Sequence, residues 1–335
     1  MRARSFFFFS TSNPSIKNAG FLMESKSDID QLIPERYKPV TLFFPVDNSF
    51  DKIKETLRNN NLQYPLVIKP DIGMQGKAVL KVHNDHEFIS AIKTFTVDFV
   101  VQPFIPYPKE VGIFYVRLPS EKRGKITGIV EKEFLKITGD GVSTIRQLLN
   151  RNPRHILQLP VLERNLEDEI DAIPGKGVEK ILVPYGNHVR GSLFLDSSYK
   201  NNKEIESVID NACQQIEGFY FGRLDIRFNN FEELAEDKNW SIIELNGAGS
   251  EPTHMYDPVH SLFFAWKEII RHWDLLFQVS MQNRKRGFSN LSIRQGVNML
   301  RENLQYVKKL DRIQFHLSSQ EHQKRLLPLH LNMAT

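Results

Sequence analysis

Phe221-Gly-Arg-Leu-Asp-Ile-Arg-Phe228 and Ser241-Ile-Ile-Glu-Leu-Asn-Gly247 decide how this chain is read. In the first stretch, strand alternation puts Leu224, Ile226 and Phe228 on one face and Arg223, Asp225 and Arg227 on the other. In the second, Glu244 and Asn246 share a face while Ile243 and Leu245 point away. The intervening residues 229–240 are rich in Asn, Glu and Asp and suit a hairpin connection. If the two strands pair antiparallel, Asp225, Glu244 and Asn246 converge. Two carboxylates and an amide oxygen are hard donors that suit Mg²⁺, with phosphate oxygens and water completing its shell. An ordinary half-exposed hairpin with a polar outer face would show the same alternation, and these two stretches leave that alternative open.

Earlier segments add a phosphate-like chemistry. Leu66-Val-Ile-Lys69 reads as a strand that ends in Pro70, followed by a turn holding Gly73, Gly76 and Lys77 and a second strand at 78–82. A lysine at the end of an apolar strand can neutralise phosphate, and backbone N–H groups of a glycine-bearing tip can cover it. The spacing is not that of a Walker loop, and a solvated turn fits equally. Val100-Val-Gln-Pro-Phe-Ile105 runs into Pro106 and Pro108, with Glu110 beyond. This reads as a hinge whose backbone groups could meet an adenine edge, with an acid placed for ribose hydroxyls.

Composition sets the frame. The chain has 335 residues, 41% hydrophobic and 25% charged, which excludes a disordered, collagen-like or coiled-coil protein. Lys and Arg number 44 against 40 Asp and Glu, a net +4 that does not call for nucleic acid. The balance is uneven. Residues 281–335 carry ten Lys/Arg and three acids, a net +7, leaving 4 − 7 = −3 for the first 280. Within this tail Ile293, Val297, Leu300, Leu304 and Val307 predict one amphipathic helix whose stripe docks on the body. The single Cys213 excludes an internal disulfide framework, reads as a buried helical thiol and fits a reducing, cytoplasmic setting. Phe6 to Phe9 is too short for a secretory core of about 7–15 apolar residues and predicts a buried first strand at 4–10. Residues 262–280 hold too many charges for a bilayer span and predict a packed helix. A short helix near 28–32 with Ser27 as N-cap is expected, and 151–180 reads as a long flap. Arg117 and Lys132 read as solvated strand residues. Segments 1–60, 61–135, 136–280 and 281–335 are the expected small N-terminal lobe, phosphate-loop and hinge lobe, metal-site lobe and basic helical tail.

The order of these segments brings a family into view. Gly139-Asp-Gly-Val-Ser-Thr-Ile-Arg-Gln-Leu148 resembles a Gly-Asp-Gly-x-x-Thr-Ile-x-x-Leu segment of the cyanophycin synthetase and bifunctional glutathione synthetase branch of the ATP-grasp superfamily. Ile242-Ile-Glu-Leu-Asn-Gly-Ala-Gly249, with His254 and Pro258 following, is similar to the same branch; D-alanine–D-alanine ligase is a more distant likeness. The resemblance covers about residues 35–275. It implies an α+β fold of two lobes clasping a nucleotide, with ATP and two Mg²⁺ ions (Mn²⁺ as the alternative) as cofactors. It implies that Asp225 and Asn246 each hold one ion, that Glu244 bridges both, and that Lys69 contacts the α and β phosphates. Gly73 and Gly76 would belong to the phosphate loop, and Lys38 would be a further phosphate lysine. Gln102, Pro103, Phe104 and Ile105 would line the adenine, with Glu110 at the ribose. Arg223 would stabilise the transferring phosphoryl, and Arg190, in Gly186-Asn-His-Val-Arg-Gly191, would bind γ-phosphate or a substrate carboxylate. His188 and His254 are read as packed or substrate-touching imidazoles. The leading segment departs from the family in being short, and only Glu24 and Ser25 could stand for the loop that meets an amino acid in the D-alanine–D-alanine ligases.

The activity so implied is an ADP-forming carboxylate–amine ligase passing through an acyl phosphate, acting on an amino acid or small peptide. Its partners would be small molecules, without nucleic acid or membrane, and a homo-oligomer is compatible with it. Alternatives are a phosphotransferase on the same fold, a non-catalytic nucleotide-binding protein, and an anionic-surface binder working through Arg284-Lys-Arg286 and the tail.

Overall fold

The computed structural model of the chain describes residues 3–73, 76–156, 158–183 and 192–326. Its class is α+β, as expected, with antiparallel sheets. Two 3₁₀ turns, Phe8–Thr11 and Lys17–Gly20, lead into α1 (Lys26–Leu32), β1 (Leu42–Phe44) and α2 (Phe50–Asn59). Then come β2 (Leu66–Pro70), β3 (Leu80–Val82), α3 (Asp85–Ile92), β4 (Phe99–Pro103), β5 (Lys109–Val116), β6 (Lys125–Glu133) and β7 (Leu135–Thr138). A helical insertion follows, with α4 (Ile145–Asn150), α5 (Pro153–Ile156) and α6 (Leu159–Leu166), before β8 (Glu179–Val183) and β9 (Leu193–Asp196). The chain then forms α7 (Lys203–Gln214), β10 (Phe221–Phe228), α8 (Phe231–Ala235), β11 (Trp240–Asn246), α9 (Leu262–Lys285) and α10 (Ile293–Leu326).

Two sheets face each other across a cleft. The smaller has the order β1-β4-β2-β3 and the larger β11-β10-β5-β6-β9. Strand β1 from the leading segment therefore joins β2–β4, while β5 and β6 pair with β10 and its neighbours. The larger sheet shows how alternation builds the site. Its Leu224, Ile226, Val111 and Ile113 side pack with Ile205, Ile209 and Cys213 of α7 in one apolar cluster. Each such side chain, fully buried, contributes roughly 1.5–3 kcal/mol. The opposite face is left for Arg223, Asp225 and Arg227. Cys213 is buried, as its helical spacing predicts.

Several local expectations are corrected. The Phe-rich N-terminus is a 3₁₀ turn rather than a strand. Ser10 Oγ and Thr11 Oγ1 donate back to the carbonyls of Phe7 and Phe8, which favours a turn over an extended run. The phenylalanines splay instead of alternating: Phe9 stacks on Phe21 at 4.0 Å while Phe8 reaches Trp273 and Phe277. Helix α1 begins at Lys26 with Ser25 as the N-cap, its hydroxyl accepting from the Asp28 N–H. The 151–180 stretch holds α5, α6 and a 3₁₀ turn rather than an open flap. The tail helix is real but docks by another face. Met299, Leu310, Ile313 and Leu317 are buried, while Ile293, Val297, Leu300 and Leu304 are exposed.

Candidate active site

Strands β10 and β11 pair antiparallel, as the hairpin reading requires, with Arg223 opposite Asn246 and Asp225 opposite Glu244. A β-bulge follows between Asp225 and Ile226 and leaves Ile243 out of the ladder. The Ile243 carbonyl instead accepts from Lys69 Nζ at 3.2 Å, so the bulge ties the lysine of the smaller sheet to the larger one. Lys69 Nζ also donates to Gln102 Oε1 at 2.8 Å, and Gln102 Nε2 donates to Thr41. Burial pushes the Lys69 ammonium below its usual range against the pull of Glu244.

The resulting cavity has a volume of about 620 Å³. It gathers Lys69, Gly73, Gly76, Gln102, Pro103, Phe104, Ile105, Glu110, Arg223, Asp225, Glu244 and Asn246. Lys38 does not line it; its Nζ pairs with Asp30 Oδ2 at 2.7 Å. Arg190 and His188 lie outside the described residues.

Asp225 sits at the centre of a buried charge network. Its Oδ1 meets Arg223 Nε at 2.9 Å and Lys132 Nζ at 3.0 Å. Lys132 also pairs with Glu110 Oε1 at 2.9 Å, and Arg227 Nε lies 3.4 Å from Glu110 Oε2. This corrects the reading of Lys132 as solvated: its side chain is 4% exposed. Arg117 is half-buried over the Tyr220 ring. Burial alone would raise the Asp225 carboxyl, but Arg223 and Lys132 outweigh it and hold the group below the usual carboxylate range. Gly112 makes the network possible, since it lies opposite Asp225 on β5. A Cβ there would lie 2.9 Å from Val130, 3.2 Å from Arg223 Cδ and 3.2 Å from Asp225 Oδ1. Gly112→Ala is expected to displace both charged side chains and to lower activity by at least about tenfold, since a small misplacement of catalytic groups costs that much or more. Steady-state turnover of the folded variant checks it.

Sequence reasoning missed Lys26. Its Nζ lies 3.4 Å from Glu244 Oε1, and a Cβ added at Gly73 would lie 3.0 Å from it. Ser25 followed by Asp28 was the available cue, since it sets the helix start and so aims Lys26 into the cleft. Glu24 lines the same end, its carboxyl raised chiefly by burial. The loop after β11 contributes Ser250, Glu251, Thr253 and Tyr256. Its position is fixed by a backbone zipper in which the N–H groups of Ala248 and Gly249 donate to the carbonyls of Ala19 and Gly20 at 2.9 Å. The approach is close enough that a Cβ on Gly20, whose φ is +71°, would lie 2.7 Å from Gly247 Cα.

The donor set suits a hard divalent cation. Glu244 is far more open than Asp225, its side chain 38% exposed against 6%, and Lys26 stands against it as the neutralising charge. Among the described residues no cluster of three or more His, Cys, Asp or Glu is placed to hold a metal, so any ion here depends on the Asn246 amide and on ligand oxygens.

His254 is packed, not solvent-facing. Its Nε2 lies 3.1 Å from Glu268 Oε2, and His272 Nε2 lies 2.9 Å from Thr127 Oγ1. Burial lowers both imidazoles, His272 to about 4. A depressed group gives stability that is complete above its unfolded value and lost as pH falls towards its folded one. His272 alone should therefore cost about 3 kcal/mol between roughly pH 6.5 and pH 4. Denaturant titrations across that range check this, with His272→Gln expected to lose this share of the pH dependence and to keep that of His254.

No family model matches the chain, and no curated protein matches it either. Among solved structures it is similar to a bifunctional glutathione synthetase from Pasteurella multocida, 17% identical over 74% of this chain and 35% of that one, TM-score 0.43. It is also similar to a D-alanine–D-alanine ligase from Bacillus anthracis, 12% identical over 79% and 69%, TM-score 0.44. A third is the VanG D-Ala:D-Ser ligase from Enterococcus faecalis, 16% identical over 81% and 63%, TM-score 0.43. The chain spans about a third of the length of the first and about two thirds of the other two.

Proposed function

We propose that this chain is an ATP-grasp ligase that joins a carboxylate to an amine with formation of ADP. The observation that carries the reading is the cleft between two antiparallel sheets. Its cationic wall of Lys69, Lys26 and Arg223 faces the oxygen donors Asp225, Glu244 and Asn246. Phosphoryl transfer needs positioning and charge neutralisation more than a protein nucleophile, and this cleft is built of charge.

In the proposed reaction a substrate carboxylate oxygen attacks the γ-phosphorus of ATP, the bond to the β-phosphate oxygen breaks, and ADP leaves. The amine nitrogen then attacks the acyl phosphate carbon, phosphate departs with the bonding pair, and the ammonium proton passes to solvent. Lys69, deep at the β2 end, binds the α and β phosphates. Arg223 faces the transferring group and the later tetrahedral oxyanion. Lys26 moves its charge from Glu244 to the incoming anion. Gln102 to Ile105 line the base. Asp225, Glu244 and Asn246 would hold Mg²⁺, which when bound would offset the phosphate charge.

Lys69→Met is expected to raise the KM for ATP at least about tenfold, since a charge-assisted contact to phosphate is lost, about 1.5–3 kcal/mol. The reading itself is tested by ADP release from the full chain with Mg²⁺, against a panel of amino acids and dipeptides. It requires release that depends on both a carboxylate and an amine. Release satisfied by a carboxylate or alcohol alone would make the chain a phosphotransferase instead.

A further inference from the structure

We propose that the outer surface formed by α9, α10 and the N-terminal turn docks the protein onto an anionic lipid bilayer.

The apolar stripe expected to dock on the body is the one left uncovered. On α10, Ile293, Val297, Leu300 and Leu304 are 70, 52, 42 and 65% exposed. On α9, Phe263, Trp266, Ile270 and Trp273 follow helical spacing and are 78, 51, 69 and 49% exposed. Single exposed apolar residues are ordinary, but two exposed apolar stripes, one of them aromatic, are not. The N-terminal segment joins them. Phe8 lies 6.0 Å from Trp273, a Cβ on Gly296 of α10 would lie 2.2 Å from Phe7, and Phe6 is 72% exposed.

Charge identifies the occupant. Arg294, Arg301 and Lys308 recur every seven residues, each one position beyond Ile293, Leu300 and Val307, so they form one exposed row along the edge of the stripe. Of the acids nearby, Asp311 holds Lys77, while exposed Asp274 and Glu302 leave the three-residue row with a surplus of positive charge. Arg284 and Arg286 are partly structural, donating to the Ala3 carbonyl and the Tyr220 hydroxyl. Two apolar stripes, one bearing tryptophans on α9 and the other bordered by a cationic row on α10, match an interface whose interior is hydrocarbon and whose surface is anionic. A second copy fits less well, because antiparallel two-fold pairing on α10 would set the two cationic rows side by side. No helix among the described residues is long and apolar enough to cross a membrane, so the attachment is peripheral.

The protein reports on this itself. Trp266 and Trp273 lie in the surface, while Trp240 is buried at 7% exposed. The full chain is mixed with phosphatidylcholine vesicles, with and without about 30% phosphatidylserine, at low and high salt. The expected result is co-sedimentation and a blue-shifted tryptophan emission with the anionic vesicles only, weakened by salt. R294E/R301E/K308E should bind about 100-fold more weakly. F263S/W266S, which keeps the charges, should also lose binding; both variants should melt as the parent does. Equal binding to both vesicle types, or unchanged binding by the charge-reversed variant, overturns the proposal. So does a dimer in sedimentation equilibrium that F263S/W266S dissociates while vesicles go unbound. Binding to a single-stranded oligonucleotide in place of vesicles overturns it too.

Discussion

Glu244→Gln should reduce amine-dependent ATP turnover by about 10³-fold, the upper end of what removing one electrostatic group costs in comparable sites. Asp225→Asn should do the same. The two differ in what else they disturb. Glu244 is partly open and meets Lys26 at 3.4 Å, so its amide variant should unfold at nearly the parent temperature. Asp225 answers two cations, buried Lys132 and half-buried Arg223, so Asp225→Asn should lose stability as well as turnover. Rapid-quench measurement of ADP formation, paired with thermal unfolding, separates the effects. Near-parental turnover in a folded Glu244→Gln protein would mean that the oxygen cluster is not the reacting centre.

Lys132→Met should destabilise the fold by about 3–5 kcal/mol, because it leaves Glu110 and Asp225 as buried carboxylates short of a partner. The three groups are nearly dry: Lys132 is 4% exposed, Glu110 7% and Asp225 6%. Burial alone would lower the Lys132 ammonium, but Asp225 and Glu110 outweigh it and hold it above its usual range. Its stabilisation is therefore complete below the unfolded lysine value of about 10.4 and lost as pH rises beyond it. The Asp225 carboxyl is held low, so its share is complete above about pH 3.9 and lost as pH falls further. The gap between parent and variant should thus be flat from about pH 5 to about pH 10 and narrow on either side. Restoring part of the loss with Lys132→Met/Glu110→Gln would show that unmatched charge, not lost packing, is the cause.

Alternation made the central hairpin legible, because a period of two assigns faces without knowledge of what lies above or below. It placed Asp225, Glu244 and Asn246 together and sent Leu224 and Ile226 to the α7 side. The same rule failed at Phe6 to Phe9, where the hydroxyls of Ser10 and Thr11 bond back to carbonyls three residues earlier. Lys132 and Arg227 could not be read as buried. Nothing in the strand's own sequence says that Glu110 comes from a neighbouring strand to meet them. Lys26 enters the cleft and Lys38 stays out of it for a related reason. Which of two lysines enters the cleft depends on where α1 starts and on whether Asp30 takes the other. On α10 the apolar residues were found correctly but the inward face was not, since the helix carries two apolar stripes and only tertiary packing chooses between them.

Helix α10 has a mechanical consequence. Met299 sits in the core that the larger sheet shares with α9, whereas Leu310, Ile313 and Leu317 sit in the core of the smaller one. Its Gln314 accepts from the Ala78 N–H and its Asp311 holds Lys77, just past the glycine tip at Gly76. One rigid rod, 34 residues and so about 51 Å long, therefore spans both jaws and grips the fingertip between them. The jaws cannot part by swinging freely; they open only as far as that rod bends or slides. Stiffening or tugging it from outside would be felt at the Gly76 end of the cleft before anything touched the cleft itself.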